Sequence, residues 1–410
     1  MLGLGMATGS LLAGCAGGTL PQPQATSSLG EDRAPQAPEQ PTAAPQTVKV
    51  GLLLPLSAGI QMSLVAKGLQ QAAELSLFER NISGLQLVVR DDKGTAEGAA
   101  AATTELLADG AELLLGPLLS TSVKAVAPIA RRARVPVIAF SNDAGVGGDG
   151  VHLLSFFPAA EVARATSYAI GKGRMHLAAL IPQDTLGQDT EPAFRRAVEA
   201  GGARLALVEH YPVDMSGVID SAKRVIDAMR SSAETESPID AVFLPSSSDN
   251  VPRLVAMLRH NALDTSKVKL IVTGGWDNPA ALREAKVHGA WLAGPDPGGW
   301  RELAARFAKA HQAMPPRLAS LVYDAVSVAA AFASQPRDQR YIAGNLTRPS
   351  GFAGIDGPFR LTSAGPVERS LAMFEVTSAG LTMIDPPSAL SLEPPARPVP
   401  IGAASGPVPG

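Results

Sequence analysis

The chain has a single cysteine, Cys15, in 410 residues. An internal disulfide is therefore excluded, and no cysteine set exists for zinc. Aromatic residues make up only 4% of the sequence and charged residues 18%, with a net charge of −3. That balance lacks the basic footprint nucleic acid requires, so nucleic acid is not an expected partner. No stretch reaches the ~18–20 consecutive apolar residues of a membrane-spanning helix. The six histidines (His152, His176, His210, His260, His288 and His311) are scattered, with no H-E-x-x-H spacing, and there is no G-x-S-x-G elbow. Hence no catalytic constellation, metal site or cofactor is expected. Gly145–Gly150 (GVGGDG) has the spacing of a dinucleotide loop but runs into Val151–Phe157 (VHLLSFF), an extended segment and not a helix. It reads as a turn. Arg131, Arg132 and Arg134 sit where a helix should end, where cations complement its dipole.

What is present begins at that cysteine. Leu12-Ala13-Gly14-Cys15 closes a short apolar run, Leu2–Ala13, and resembles the bacterial lipobox. The resemblance implies that residues 1–14 are a signal peptide, that Cys15 is acylated, and that lipid tethers the protein to a membrane on the periplasmic side. Each buried methylene of such a chain contributes about 0.8 kcal/mol. Ala16 stands where the inner-membrane retention signal places Asp, which points to the outer membrane. Met1–Ser10 carries no Lys or Arg, unlike an ordinary signal peptide, and an incidental cysteine in an unstructured N-terminus is the alternative. Residues 15–47 are rich in Gly, Pro, Gln, Ala, Ser and Thr, which cannot bury enough surface to offset ordering entropy. They are expected to form a lipid-anchored disordered linker. Residues 385–410 are expected to form a disordered Pro/Gly-rich tail.

Between these ends, strands and helices alternate. Apolar runs predict strands at Val48–Leu54, Leu85–Arg90, Glu112–Leu115, Val135–Phe140, His176–Ile181, Arg204–His210, Ala241–Leu244 and Lys269–Thr273. Helical periodicity falls at Gln61–Phe78, Thr95–Asp109, Ser120–Arg134, Asp189–Ala200, Val218–Met229 and Val251–Asn261, with Thr95 suited to an N-cap. Regular alternation argues for parallel sheets covered on both faces, in two doubly wound lobes. In such sheets ligands bind outside the carboxyl ends of the strands.

Several segments carry a resemblance. Val50–Ser57 (VGLLLPLS), Val89–Gly94 (VRDDKG), Leu115–Ser122 (LGPLLSTS), Val135–Asn142 (VPVIAFSN) and Pro182–Gly187 (PQDTLG) resemble the type I periplasmic binding proteins of the leucine/isoleucine/valine-binding family. Thr273–Pro279 (TGGWDNP), Gly289–Pro297 (GAWLAGPDP), Arg317–Val326 (RLASLVYDAV) and Gly351–Arg360 (GFAGIDGPFR) resemble the penicillin-binding protein activator lipoproteins, which stimulate a peptidoglycan synthase. The resemblance implies two α/β lobes joined by a hinge of crossing strands. Lobe 1 is expected to hold residues 48–157 plus 294–352, and lobe 2 residues 158–293 plus 353–384.

Gly116 lets the chain turn, and Ser120, Thr121 and Ser122 open a helix. Free N–H groups and hydroxyls there suit a carboxylate, although plain N-capping is the structural alternative. Ser141 and Asn142 extend the same polar wall. Asp143 would repel a bound carboxylate by like charge. On the second lobe, Leu186 stands where many relatives have an aromatic residue, and Ser246, Ser247 and Ser248 end a strand toward the cleft. Trp276 and Asp277 lie near the position where relatives place an acid for the ligand's ammonium. Asp277 equally suits a cap for a helix beginning at Asn278-Pro279. The expected function is a non-enzymatic envelope lipoprotein that regulates a peptidoglycan synthase (a penicillin-binding protein). The alternative is the substrate-binding protein of an ABC transporter for branched-chain-like amino acids or a related small molecule, held in the inter-lobe cleft.

Overall fold

The computed structural model describes residues 47–387 except 82–83, 248, 262, 277–281 and 283. The expectations for Cys15, the signal peptide, nearly all of the linker and most of the tail, and those for Ser248 and Asp277, lie outside the described residues.

The first sheet is built from β1 (Val48–Leu54), β2 (Leu85–Asp91), β3 (Leu113–Leu115), β4 (Val137–Ala139) and β5 (Val151–Leu153), all parallel. Helices α1 (Ile60–Arg80), α2 (Ala96–Ala108) and α3 (Ser120–Ala133) carry the returns. The chain then passes to a second sheet through α4 (Pro158–Gly171). There β6 (His176–Pro182), β7 (Arg204–Tyr211), β8 (Ala241–Leu244), β9 (Lys269–Val272) and β10 (Trp291–Gly294) alternate with α5 (Thr185–Ala200), α6 (Val218–Ala233) and α7 (Val251–His260). It comes back to the first sheet with α8 (Pro297–His311), α9 (Ala319–Phe332), α10 (Ala343–Leu346), β11 (Phe359–Thr362) and β12 (Gly365–Arg369). A last crossing delivers β13 (Ala372–Thr377) and β14 (Gly380–Asp385) to the second.

Strand order is β11-β12-β5-β4-β3-β1-β2 in one sheet and β14-β13-β10-β9-β8-β6-β7 in the other. The two lobes thus repeat one winding, with the order reversing between β1 and β3 and again between β6 and β8. Both lobes are doubly wound as expected, with antiparallel pairs at one margin: β11 against β12, β13 against β10, and β14 against β13.

Side chains alternate across each sheet. In β1, Leu52 and Leu54 join the core under α1, α8 and α9, while Leu53 joins the core under α2 and α3. In the second lobe α6 and α7 cover one face, and α4 and α5 the other. Apolar burial at about 25 cal/mol per Å² makes these two-faced cores the main source of stability.

One expected boundary is corrected. The sequence places residues 353–384 in lobe 2, but Pro366 of β12 pairs with Leu153 of β5. Phe359, Leu361 and Val367 are buried in the lobe 1 core. The β11–β12 hairpin therefore belongs to lobe 1, and only β13 and β14 reach the second sheet. Helix α5 also begins four residues before the expected start at Asp189, because Asp184 caps it by accepting the Gly187 N–H at 2.9 Å.

Gly116 follows β3 with φ +84°, and a Cβ there would run into the Leu53 carbonyl of the neighbouring strand. Gly116→Ala is expected to lower stability by about 2–4 kcal/mol through left-handed strain and this clash. A urea titration beside the wild-type chain checks it.

Candidate functional site

Three segments cross between the lobes: residues 154–157 after β5, 295–296 after β10 and 370–371 after β12. They leave the carboxyl ends of the strands in each lobe facing one another. Phe156, on the first crossing, lies 4.8 Å from the Trp276 ring, which follows β9. The cleft is thus walled by the turns after β1, β3 and β4 on one side and after β6, β7, β8 and β9 on the other.

On the lobe 1 wall, Ser120 and Thr121 begin α3 at the point where strand order reverses, the usual ligand crevice of such sheets. Leu119 occupies the N-cap and contributes no side-chain cap bond. The plain N-capping reading of Ser120 and Thr121 is therefore not what the structure displays, and the first-turn N–H groups keep their partial positive charge. Ser122 is buried, its hydroxyl 3.5 Å from the Thr95 carbonyl. Ser141 is buried at the end of β4 and accepts the Asp143 N–H at 3.2 Å, which leaves its own proton for another acceptor. Asn142 is exposed. Asp143 turns back to accept the Gly145 N–H at 3.0 Å and lies 3.9 Å from Lys124 Nζ, which moderates the repulsion expected of it.

The lobe 2 wall has the opposite character. Leu186 sits half-buried in the first turn of α5, beside the Asp184 cap. Asp189, one turn on, has its pKa raised by burial and by the charge of Asp143 across the cleft. Ser246 is buried, and its N–H reaches the Thr273 hydroxyl at 3.2 Å. Ser247 is exposed.

Trp276 is on the floor, not the wall. Its Nε1 donates to Glu161 of α4 at 2.9 Å. The Arg317 guanidinium lies 4.9 Å from its ring centre, 4.8 Å from Phe156 and 4.5 Å from Trp300. Behind this stack are buried Asp356, which pairs with Arg317, and buried Asp324, which accepts the Ile355 N–H at 3.0 and 3.1 Å. The Arg369 guanidinium lies over Phe156 and Phe359 at 5.3 and 5.4 Å, its nitrogens buried without a hydrogen-bond partner among the described residues. Sequence reasoning missed this cluster. The signal was the resemblance of Arg317–Val326 and Gly351–Arg360, which named the segments without showing that they converge.

The apolar side chains of Ile60 and Leu64, 80% and 62% exposed at the start of α1, were also missed. They line a shallow groove of about 650 Å³ with Leu56 and Ser57, beside the lobe 1 wall. A cavity of about 720 Å³ opens instead at the opposite edge of that sheet, among Glu112, Arg134, Arg337 and Tyr341.

A family profile described as "Periplasmic binding protein" matches residues 47–381. The chain belongs to the periplasmic binding protein family. Among solved members of this fold, a branched-chain amino acid ABC transporter protein from Rhodospirillum rubrum superposes with a TM-score of 0.71 at 19% identity, over 82% of this chain and 100% of that one. A substrate-binding protein from Desulfitobacterium hafniense in complex with Leu gives 0.59 at 18%, over 82% and 99%. A solute binding protein from Rhodopseudomonas palustris in complex with 3,4-dihydroxybenzoic acid gives 0.57 at 18%, over 83% and 98%. At these identities the likeness establishes the fold. No curated protein matches the sequence. As a periplasmic binding protein the chain is assigned to the periplasm, and no helix among its described residues is long and apolar enough to cross a membrane.

The cleft floor of this periplasmic binding protein carries a pH dependence. Burial pushes Asp324 up to about 7, and the like charge of Asp356 adds to this, against the opposing charges of Arg369 and Arg80 and the Ile355 N–H. Its ordinary value is 3.8. The native state therefore holds a proton that the unfolded chain releases, and stability falls as pH rises between those values. Asp324→Asn cannot ionise. Relative to this variant, the wild type is expected to lose on the order of a few kcal/mol between pH 4 and pH 8. Paired melting curves across that range provide the check.

Proposed function

We propose that this protein captures a small zwitterion, such as an amino acid, in the cleft between its lobes and presents it to an uptake transporter. The observation that carries this reading is the contrast between two helix starts that face the cleft, those of α3 and α5. Helix α3 opens without a side-chain cap, so its N–H groups suit a carboxylate. Helix α5 opens under the Asp184 carboxylate, with Asp189 one turn on, so that wall suits an ammonium. Ser120, Thr121, Ser141 and Asn142 would hold the anionic end. Leu186, with exposed Ile60 and Leu64, would meet an apolar side chain. Asp277 remains a candidate for the ammonium.

Capture for transport takes precedence over regulation of a peptidoglycan synthase, because the relatives described above are transporter proteins. Anchoring through acylated Cys15, on the outer membrane, is part of the same proposal: a lipid tether keeps a binding protein at the envelope without a spanning helix. The role is one of binding, not catalysis.

A ligand that binds only the native state raises its melting temperature by mass action. A thermal-shift screen with amino acids, leucine first, and with benzoate as a carboxylate without ammonium, is expected to give a rise of several degrees with an amino acid alone. A shift with benzoate alone would remove the zwitterion reading, and no shift with any amino acid would remove capture of this class. Ser120→Pro deletes one N–H and one hydroxyl at the first helical position, where proline is tolerated. It is expected to weaken the amino acid at least about tenfold, the loss of one charge-assisted hydrogen bond, while leaving the apo melting temperature near that of the wild type. Asp184→Asn keeps the cap and removes the charge, and should weaken leucine while leaving the apo melting temperature near that of the wild type.

A further inference from the structure

We propose that Arg317 is a positioning residue that latches the two lobes together through Trp276 and so sets the separation of the cleft walls. The proposal rests on the capture reading only in supposing that the separation matters for ligand. Its geometry stands apart from any ligand.

Arg317 precedes α9 in lobe 1 and is fixed there by its pair with Asp356 and by donating to the Ser320 hydroxyl at 2.9 Å. Asp356 is completely buried, so it is not free to swing. Trp276 belongs to lobe 2, where it packs against that lobe's core and donates to Glu161 of α4. The stack of guanidinium on indole is thus anchored in a different lobe at each end. A planar guanidinium over an aromatic face is attractive, and more so when desolvated.

The stack meets two of the three crossings directly and the third through Phe156. Phe156, on the first, lies against both Arg317 and Trp276. Gly294, at the start of the second, passes so close that a Cβ there would fall 2.7 Å from the indole. Arg369, at the start of the third, lies over Phe156. Two of the chain's three tryptophans, Trp276 and Trp300, flank one arginine here, although aromatics are scarce elsewhere. A rotation of the lobes about the three crossings must slide Trp276 over Arg317. The strength of the stack then biases one separation over others, which is how a contact made in one state only shifts a two-state equilibrium.

The test measures that separation directly, without ligand. Spin labels at Lys124→Cys and Gln188→Cys, exposed positions on opposite walls, are placed in full-length protein with Cys15→Ser, and their distance distribution is recorded by pulsed electron resonance. Arg317→Met is expected to broaden the distribution toward longer distances by several ångström. Arg317→Lys, which keeps the charge but loses the planar stack and the bidentate pair, should fail to restore it. A folded Arg317→Met protein with the wild-type distribution would overturn the proposal. Should that variant fail to fold, Trp276→Leu removes the lobe 2 half of the stack and leaves the Arg317–Asp356 pair intact, and an unchanged distribution there is equally fatal. Where an amino acid has been found to bind, Arg317→Met is expected to weaken it at least fivefold. Because the distances are read on unliganded protein, absence of any ligand would defeat the capture reading and leave the latch standing or falling by itself.

Discussion

Parallel strands cannot be joined by tight turns, and the rest of this architecture follows from that constraint. Most of the parallel strands are followed by a helix that carries the chain back, so helices cover both faces of each sheet. The same requirement gathers the carboxyl ends of all parallel strands at one edge. The crossings leave from those edges, so the two lobes meet edge to edge and enclose a cleft lined by turns and helix starts. The turns are held by short polar bonds. Asp91 accepts the Ser57 hydroxyl at 2.6 Å, and such bonds outweigh burial to keep its carboxyl below the usual range. Asp92 is instead pushed up to about 6 by burial, with a contribution from the Asp91 charge.

Both lobes repeat one winding, yet their cleft-facing helix starts are not equivalent. Leu119 leaves α3 without a side-chain cap, whereas Asp184 caps α5. These two helix starts therefore differ in charge, one open and one closed by a carboxylate. The floor differs again: it is apolar and cationic, with buried carboxylates behind it. Trp276 is held there by partners in both lobes.

Much of the fold was legible because its strands are short apolar runs and most of its helices carry one apolar stripe. Legibility failed where that contrast vanishes. Helix α9 is buried along almost its whole length, so it has no polar face to give a period. The β11–β12 hairpin is short, and its partner, β5, lies some 200 positions away; nothing local distinguishes pairing there from pairing with the second sheet. The placement of Ser120, Thr121, Ser141 and Asn142 beside the cleft was legible because turns after parallel strands open onto the crevice. Ser246 looks similar along the chain, but its burial and its N–H bond to Thr273 depend on the neighbouring strand.

By itself the sequence determined the alternation of strand and helix, the doubly wound class and the segments that face a cleft. Those properties come from hydrophobic period and turn chemistry, which act over a few residues. Only the tertiary structure decided which sheet each late strand joins, which hydroxyls remain free, and that Arg317, Trp276, Phe156, Asp356 and Arg369 form one cluster. Those outcomes depend on contacts between residues far apart in the chain, and a buried charge finds its partner in three dimensions, not along the sequence.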